Sequence, residues 1–147
     1  RSSPREIQNY LGRISGPLLD RIDLHVEVPA VPFREITSAR PGESSTTIRD
    51  RVIAARRRQQ VRLGSRSRTT CNARMTSREL KAHCALEEPT LDLLKFAMAD
   101  LKLSARAYDR ILKVARTIAD LAASPNILGD HVSEAIQYRS LDRQLWT

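Results

Sequence analysis

The strongest constraint on this chain is an apolar stripe near its C-terminal end. Leu103, Ala107, Ile111, Val114, Ile118 and Leu121 recur every three or four residues, the spacing that puts side chains on one face of an α-helix. Arg106, Asp109, Lys113, Arg116 and Asp120 fall on the opposite side in this reading. Ser104 caps the start, Leu103 suits a staple position, and Ser124-Pro125-Asn126 stops the helix. A helix of this length with one apolar face must pack against other elements, and the flanking sequence supplies further helices.

Ser3-Pro4-Arg5-Glu6 has the form of a capping box and opens a short helix that Gly12 ends. A helix is expected over residues 46 to 63, capped by Thr46 or Thr47, with Ile48, Val52, Ala55 and Leu63 on a narrow stripe that Gln59 interrupts. Residues 64 to 75 read as a loop. Thr76-Ser77-Arg78-Glu79 is a second capping box, Pro89 stands near the start of the next helix with Leu91, Leu94, Met98 and Leu101 on one face, and Gly129-Asp130 opens the last helix, with Val132, Ala135 and Ile136 facing inward. Beyond it the tail from Arg139 is polar apart from Leu141, Leu145 and Trp146.

A different pattern runs from Ser15 to Pro29. Pro17, Leu18 and Leu19 make one apolar helical turn, and Arg21 stands where it runs out. From Ile22 the period becomes two: Ile22, Leu24, Val26 and Val28 alternate with Asp23, His25 and Glu27. That alternation predicts one strand over residues 22 to 28, ended by Pro29. An arginine held between a helical turn and a strand is stiffer than one on a free loop. In its ordinary reading Arg21 is a surface residue paired with Asp20 or Asp23.

The fold class expected is mainly α: a short α/β remnant followed by a bundle of about five helices. Residues 1–30 form the first part, 31–46 a connector rich in Pro, Gly and Ser, and 47–147 the helical domain. No apolar run is long enough to cross a bilayer, so a soluble, cytoplasmic piece is expected. Cys71 and Cys84 form no CxxC and have no metal-like histidine spacing, so no metal site is expected and free thiols are the default. His25, His83 and His131 lie far apart on different elements and read as structural.

Charge is concentrated. Arg49, Arg51, Arg56, Arg57, Arg58, Arg62, Arg66 and Arg68 stand against Asp50 alone between residues 49 and 68, giving that segment seven of the net charge of +8. A local basic patch points to a polyanionic partner, or to an acidic partner subunit, more than a diffuse basic balance does. No aromatic stacking platform accompanies it, which argues against sequence-specific single-strand recognition. Arg49, Arg56, Arg57, Arg58, Arg62, Arg66 and Arg68 are the candidate nucleic-acid contacts.

Ser15-Gly16-Pro17-Leu18-Leu19-Asp20-Arg21-Ile22-Asp23-Leu24 closely resembles the arginine-finger segment of the Mg-chelatase branch of AAA+ ATPases. The likeness is nearest to bacterial Mg-chelatase-like proteins of the ComM (YifB) type. It continues through Ser104-Ala105-Arg106-Ala107-Tyr108 and Ala135-Ile136-Gln137-Tyr138-Arg139, and so covers essentially the whole chain. The resemblance implies the end of an AAA+ core followed by its helical lid. It implies that Arg21 is an arginine finger reaching the ATP of a neighbouring subunit, and that Arg106 is a sensor-2 arginine, with Ser104 and, more weakly, Arg110 beside the nucleotide. It implies a ring-forming parent, hexameric as expected, that uses ATP and Mg²⁺ and acts on DNA as a branch-migration helicase in natural transformation.

The sequence contains no GxxxxGK[ST] phosphate loop and no acidic Walker B strand. In the resembled family those parts lie upstream, so the 147 residues alone are not expected to hold or hydrolyse ATP. Two other readings stand beside this one: a non-catalytic basic helical module that binds nucleic acid, and a subunit of a metal-inserting chelatase.

Overall fold

In the computed structural model, residues 3–37, 41–64 and 68–139 are described. Three short helices come first: α1 (Pro4–Leu11), α2 (Gly16–Leu19) and α3 (Phe33–Ile36). Five more follow: α4 (Ser45–Leu63), α5 (Ser77–His83), α6 (Glu88–Asp100), α7 (Ala105–Leu121) and α8 (Gly129–Gln137). A single 3₁₀ turn, Asn72–Arg74, lies between α4 and α5. The fold is mainly α, with a five-helix body after residue 44.

Local chemistry sets most of the boundaries. Ser3 and Glu6 close the capping box of α1, the Ser3 amide donating to Glu6 Oε2 at 2.7 Å. Thr76 and Glu79 do the same for α5. α4 begins two or three residues before a cap at Thr46 or Thr47 would place it: Ser44 is its cap, accepting from the Thr47 amide at 3.2 Å. Gly64 ends α4 with φ of 79°, a conformation that glycine adopts without cost.

α7 is the hub, packing on α8, α4, α5 and the 3₁₀ turn, while α6 closes the body against α8. Its buried face carries Ala107, Ile111, Leu112, Ala115 and Ala119. Leu80, Leu94, Ile127 and Val132 complete the core from the neighbouring elements. The small residues Ala107, Ala115 and Ala119 let the adjoining helices approach α7 closely. Burying a side chain such as Leu94 or Ile111 stabilises by about 1.5–3 kcal/mol.

Two sequence expectations are corrected. Residues 22–28 form no strand: they lack regular secondary structure, with a bend at Asp23, and among the described residues they have no ladder partner. Their backbone is anchored instead by the His25 amide, which donates to the Tyr138 carbonyl at 2.7 Å. Neither face is buried as a set: Val26 and Val28 are 63% and 83% exposed, Asp23 and Glu27 are exposed as well, and His25 alone is buried, at 6%. Alternation shows that two faces differ, not that either is covered, and here the segment meets the body through single contacts, the Asp23–Arg110 pair and the His25 backbone, rather than through one face.

The second correction concerns α7 and α4. Arg116 and Asp120, expected on the solvent side, are 3% and 0% exposed. Ile48 and Val52, expected on a packed stripe of α4, are largely exposed, and Ala55 with Gln59 takes the buried positions. A charged network explains both. Asp120 accepts from both terminal nitrogens of Arg62 and, at 2.9 Å, from Asn72 Nδ2. Arg116 lies 3.4 Å from Asp120 and donates to the carbonyls of Ser124 and Pro125 at 2.8 and 3.0 Å. Gln59 accepts from the Asn72 amide at 3.1 Å. The α4–α7 contact is therefore a hydrogen-bonded polar seam as much as an apolar one, in which Arg116 Nε is left without a partner.

Candidate functional site

Arg21 follows the turn of α2. Ser15 caps that turn, accepting from the Leu18 amide at 3.3 Å. Leu19 is buried and seats it, while Leu18 is half exposed. Arg21 itself is exposed. Its aspartate neighbours turn away from it to the helical body. Asp23 accepts from Arg110 in an ion pair, and Asp20 lies 3.8 Å from Arg139. Arg139, only 1% exposed, also donates to the Ile22 carbonyl at 2.5 Å. No side-chain hydrogen bond or ion pair holds the Arg21 guanidinium among the described residues, so the expected pairing with Asp20 or Asp23 does not form.

The second cluster is the start of α7. Ser104 is the cap, its hydroxyl accepting from the Ala107 amide at 3.2 Å. Arg106 lies in the first turn, exposed and likewise without a side-chain partner among the described residues. One turn on, Arg110 is the residue that pairs with Asp23. That pair joins the segment of Arg21 to the helix of Arg106. An always-charged guanidinium beside a helix N-terminus, where backbone N–H groups also present positive charge, suits an anionic ligand.

The arginines of α4 divide into two groups. Arg58 donates to the Asp120 carbonyl at 3.0 Å, and Arg62 is bound to the Asp120 carboxylate and, at 3.2 Å, to Asn72 Oδ1. Both are committed to the interior. Arg51 is paired with Glu43, which holds that carboxyl below its usual range. Arg49, Arg56 and Arg57 are exposed on α4, as is Arg68 beyond it. Arg66 lies outside the described residues.

Arg56 also bears on Cys71. Burial raises the thiol's pKa, but the Arg56 guanidinium and the amides of Arg74 and Ala73 lower it, and the net effect is downward. Cys84, inside the core, is pushed up to about 11, chiefly by burial. His131 accepts from the Leu128 amide at 3.0 Å, closing the start of α8, so its role there is structural. Among the described residues no group of three His, Cys, Asp or Glu side chains could hold a metal ion. No described helix is long and apolar enough to cross a membrane.

Asn72, Asp120 and Arg139 enter this arrangement without having been singled out for it by sequence, and Asp23, expected beside Arg21, is paired with Arg110 instead. The interruption of the α4 stripe by Gln59 is the one local signal of the polar seam. Nothing local marks the links from Arg110 and Arg139 to residues 87 and 117 positions away.

Residues 42–139 match the family described as magnesium chelatase, subunit ChlI C-terminal, and residues 1–36 match magnesium chelatase, subunit ChlI. The chain is 42% identical over 146 residues to the uncharacterized protein YifB of Salmonella typhimurium and to competence protein ComM of Haemophilus influenzae. It is 43% identical to YifB of Escherichia coli. Each alignment covers 99% of this chain and 28% of the relative. The chain thus spans just over a quarter of the length of these relatives. With its matched segments and a five-helix body, it belongs to the magnesium chelatase family, as a chain of the ComM (YifB) type.

Proposed function

We propose that this chain is the sensor and lid portion of a ring-forming AAA+ ATPase, and that Arg21 and Arg106 act on ATP. The observation that carries the reading is the contrast among neighbouring arginines. Arg110, Arg116 and Arg139 are engaged by carboxylates or carbonyls of this chain. Arg21 and Arg106, on the two segments that the Arg110–Asp23 pair joins, are exposed and have no side-chain partner among the described residues.

Phosphoryl transfer needs fixed positive charge against the charge that develops on the transferred group and the leaving phosphate. Arg21 can supply it without protonation chemistry, because a guanidinium stays charged at any working pH and offers a fork of donors. On this reading Arg21 reaches the nucleotide of the adjacent subunit. Such an arginine is worth about 10³ to 10⁵ in turnover where one is supplied in trans. Arg106, with the N-terminus of α7 behind it, contacts the phosphates. The phosphate loop and the acidic residues for Mg²⁺ belong to other parts of the ring protein. The Haemophilus relative is named a competence protein, and a DNA-handling role on this reading rests on the exposed Arg49, Arg56, Arg57 and Arg68, which offer positive charge to phosphate backbones.

The test is steady-state ATP turnover by the complete gene product. Arg21→Ala is expected to lower kcat at least a hundredfold, with KM for ATP little changed. Near-normal turnover would reduce Arg21 to a surface residue.

A second reading, a basic module that binds nucleic acid without ATP, draws on the same exposed arginines of α4. One of them, Arg57, lines an open groove of about 650 Å³ between α4 and the turn after α7, beside the inward-bound Arg58 and Arg62. DNA binding that is tight, salt-sensitive and indifferent to Arg21→Ala, in a protein without ATP turnover, would favour it.

A further inference from the structure

We infer that Arg110 and Arg139 are positioning residues for Arg21, clamping the segment that carries it to the helical body from both sides. The inference rests on the reading of Arg21 as an arginine finger, and extends it to residues that touch no nucleotide.

The segment from Asp20 to His25 contains four fixed points around Arg21. Before it, Asp20 lies 3.8 Å from Arg139. Directly after it, the Ile22 carbonyl accepts from Arg139 at 2.5 Å. Next, Asp23 accepts from Arg110. Last, the His25 amide donates to the Tyr138 carbonyl at 2.7 Å. With no strand ladder over residues 22–28 among the described residues, these polar ties help to fix the backbone that follows Arg21, together with the Ile22 amide's bond to the Leu19 carbonyl at 3.0 Å.

The two arginines differ in setting. Arg139 is enclosed, donates to the Ile22 carbonyl and faces the Asp20 carboxylate at 3.8 Å, an electrostatic contact rather than a hydrogen bond. The Arg110–Asp23 pair is only partly buried, with side chains 30% and 46% exposed. An exposed pair of this kind contributes little to stability. Its value lies in position: Arg110 sits one helical turn after Arg106, so the pair sets the Arg21 segment in register with the start of α7. Displacing a reacting group by about 1 Å can cost on the order of a hundredfold in rate, so a tie that adds little stability can still govern turnover.

The experiment is ATP turnover by the complete gene product with Asp23→Asn, Arg110→Ala, the double variant, Arg139→Lys and Arg21→Ala. Amide exchange at His25 is followed in parallel. Asp23→Asn and Arg110→Ala are each expected to lower kcat about tenfold, with KM for ATP within about twofold of wild type. The double variant should be no worse than the poorer single one. Exchange at His25 should speed up about two- to fivefold in each. Arg139→Lys should lose more in kcat than either, and global melting shows whether it remains folded.

Normal turnover in Asp23→Asn and Arg110→Ala, with Arg21→Ala inactive, overturns the clamp and leaves the finger. A loss in Arg110→Ala without one in Asp23→Asn, or a rise in KM, also overturns it by placing Arg110 at the nucleotide. Normal turnover in Arg21→Ala brings down the finger reading itself, and the clamp with it.

Discussion

Replacing Asp120 by alanine should cost about 3–5 kcal/mol of folding stability, the range for breaking a buried ion pair from one side. The reason lies in what remains. Asp120 is wholly buried and receives Arg62, Asn72 and Arg116. The Arg62 side chain is 18% exposed and can turn towards water, but that of Arg116 is 4% exposed and cannot. Burial pulls the Arg116 pKa down, the nearby Arg62 charge adds to the effect, and Asp120 opposes both. Without Asp120, two like charges face each other beside the core with only the Ser124 and Pro125 carbonyls to hold one of them. Arg62→Ala should be milder, about 1–2 kcal/mol, because Asp120 keeps Asn72 and Arg116. Urea unfolding of the 147-residue chain measures both, and a double-mutant cycle gives their coupling. A loss below about 1 kcal/mol for Asp120→Ala, or equal losses for the two variants, would refute the reasoning.

The two thiols should behave oppositely. Iodoacetamide at neutral pH should modify Cys71 well before Cys84, read by peptide mass spectrometry; equal rates would contradict the placement of Cys84 in the core. Because the folded-state pKa of Cys84 is raised to about 11, the folded protein keeps a proton that the unfolded chain releases from about pH 8.5 upward. Stability should therefore fall between about pH 9 and 11, at up to roughly 1.4 kcal/mol per pH unit from this group, and Cys84→Ala should flatten that part of the profile. For DNA, Arg49→Ala and Arg57→Ala should each weaken binding and reduce the salt slope by about 0.9 per lost phosphate contact. Arg58→Ala and Arg62→Ala should instead lower the melting temperature, with the salt slope unchanged; a salt slope altered by Arg62→Ala would reverse that division.

Much of the helical body is legible from local signals. Capping boxes at Ser3–Glu6 and Thr76–Glu79 fix two helix starts, and the stripe of α7 marks the element on which the others pack. The polar seam is not legible, because a charged residue on a helix is assigned to solvent unless its distant partner is known. Arg116 and Asp120 are buried only because α4 and the 3₁₀ turn bring Arg62 and Asn72 to them. Residues 22–28 show a similar limit. Their alternation is real, but its meaning depends on whether a neighbouring strand or an arginine meets the segment first. The exposed positions of Arg21 and Arg106 follow from turn and cap chemistry alone. The ties through Arg110 and Arg139 depend on tertiary folding, and no sequence period reports them.

The most direct measurement mixes two forms of the complete gene product, one carrying Arg21→Ala and the other a disabled phosphate loop. If Arg21 serves a neighbouring subunit, each form is inactive alone and the mixture regains ATP turnover, since intact loops then meet intact arginines. A mixture as inactive as its parts, or an Arg21→Ala form with near-normal turnover of its own, would contradict a finger supplied between subunits.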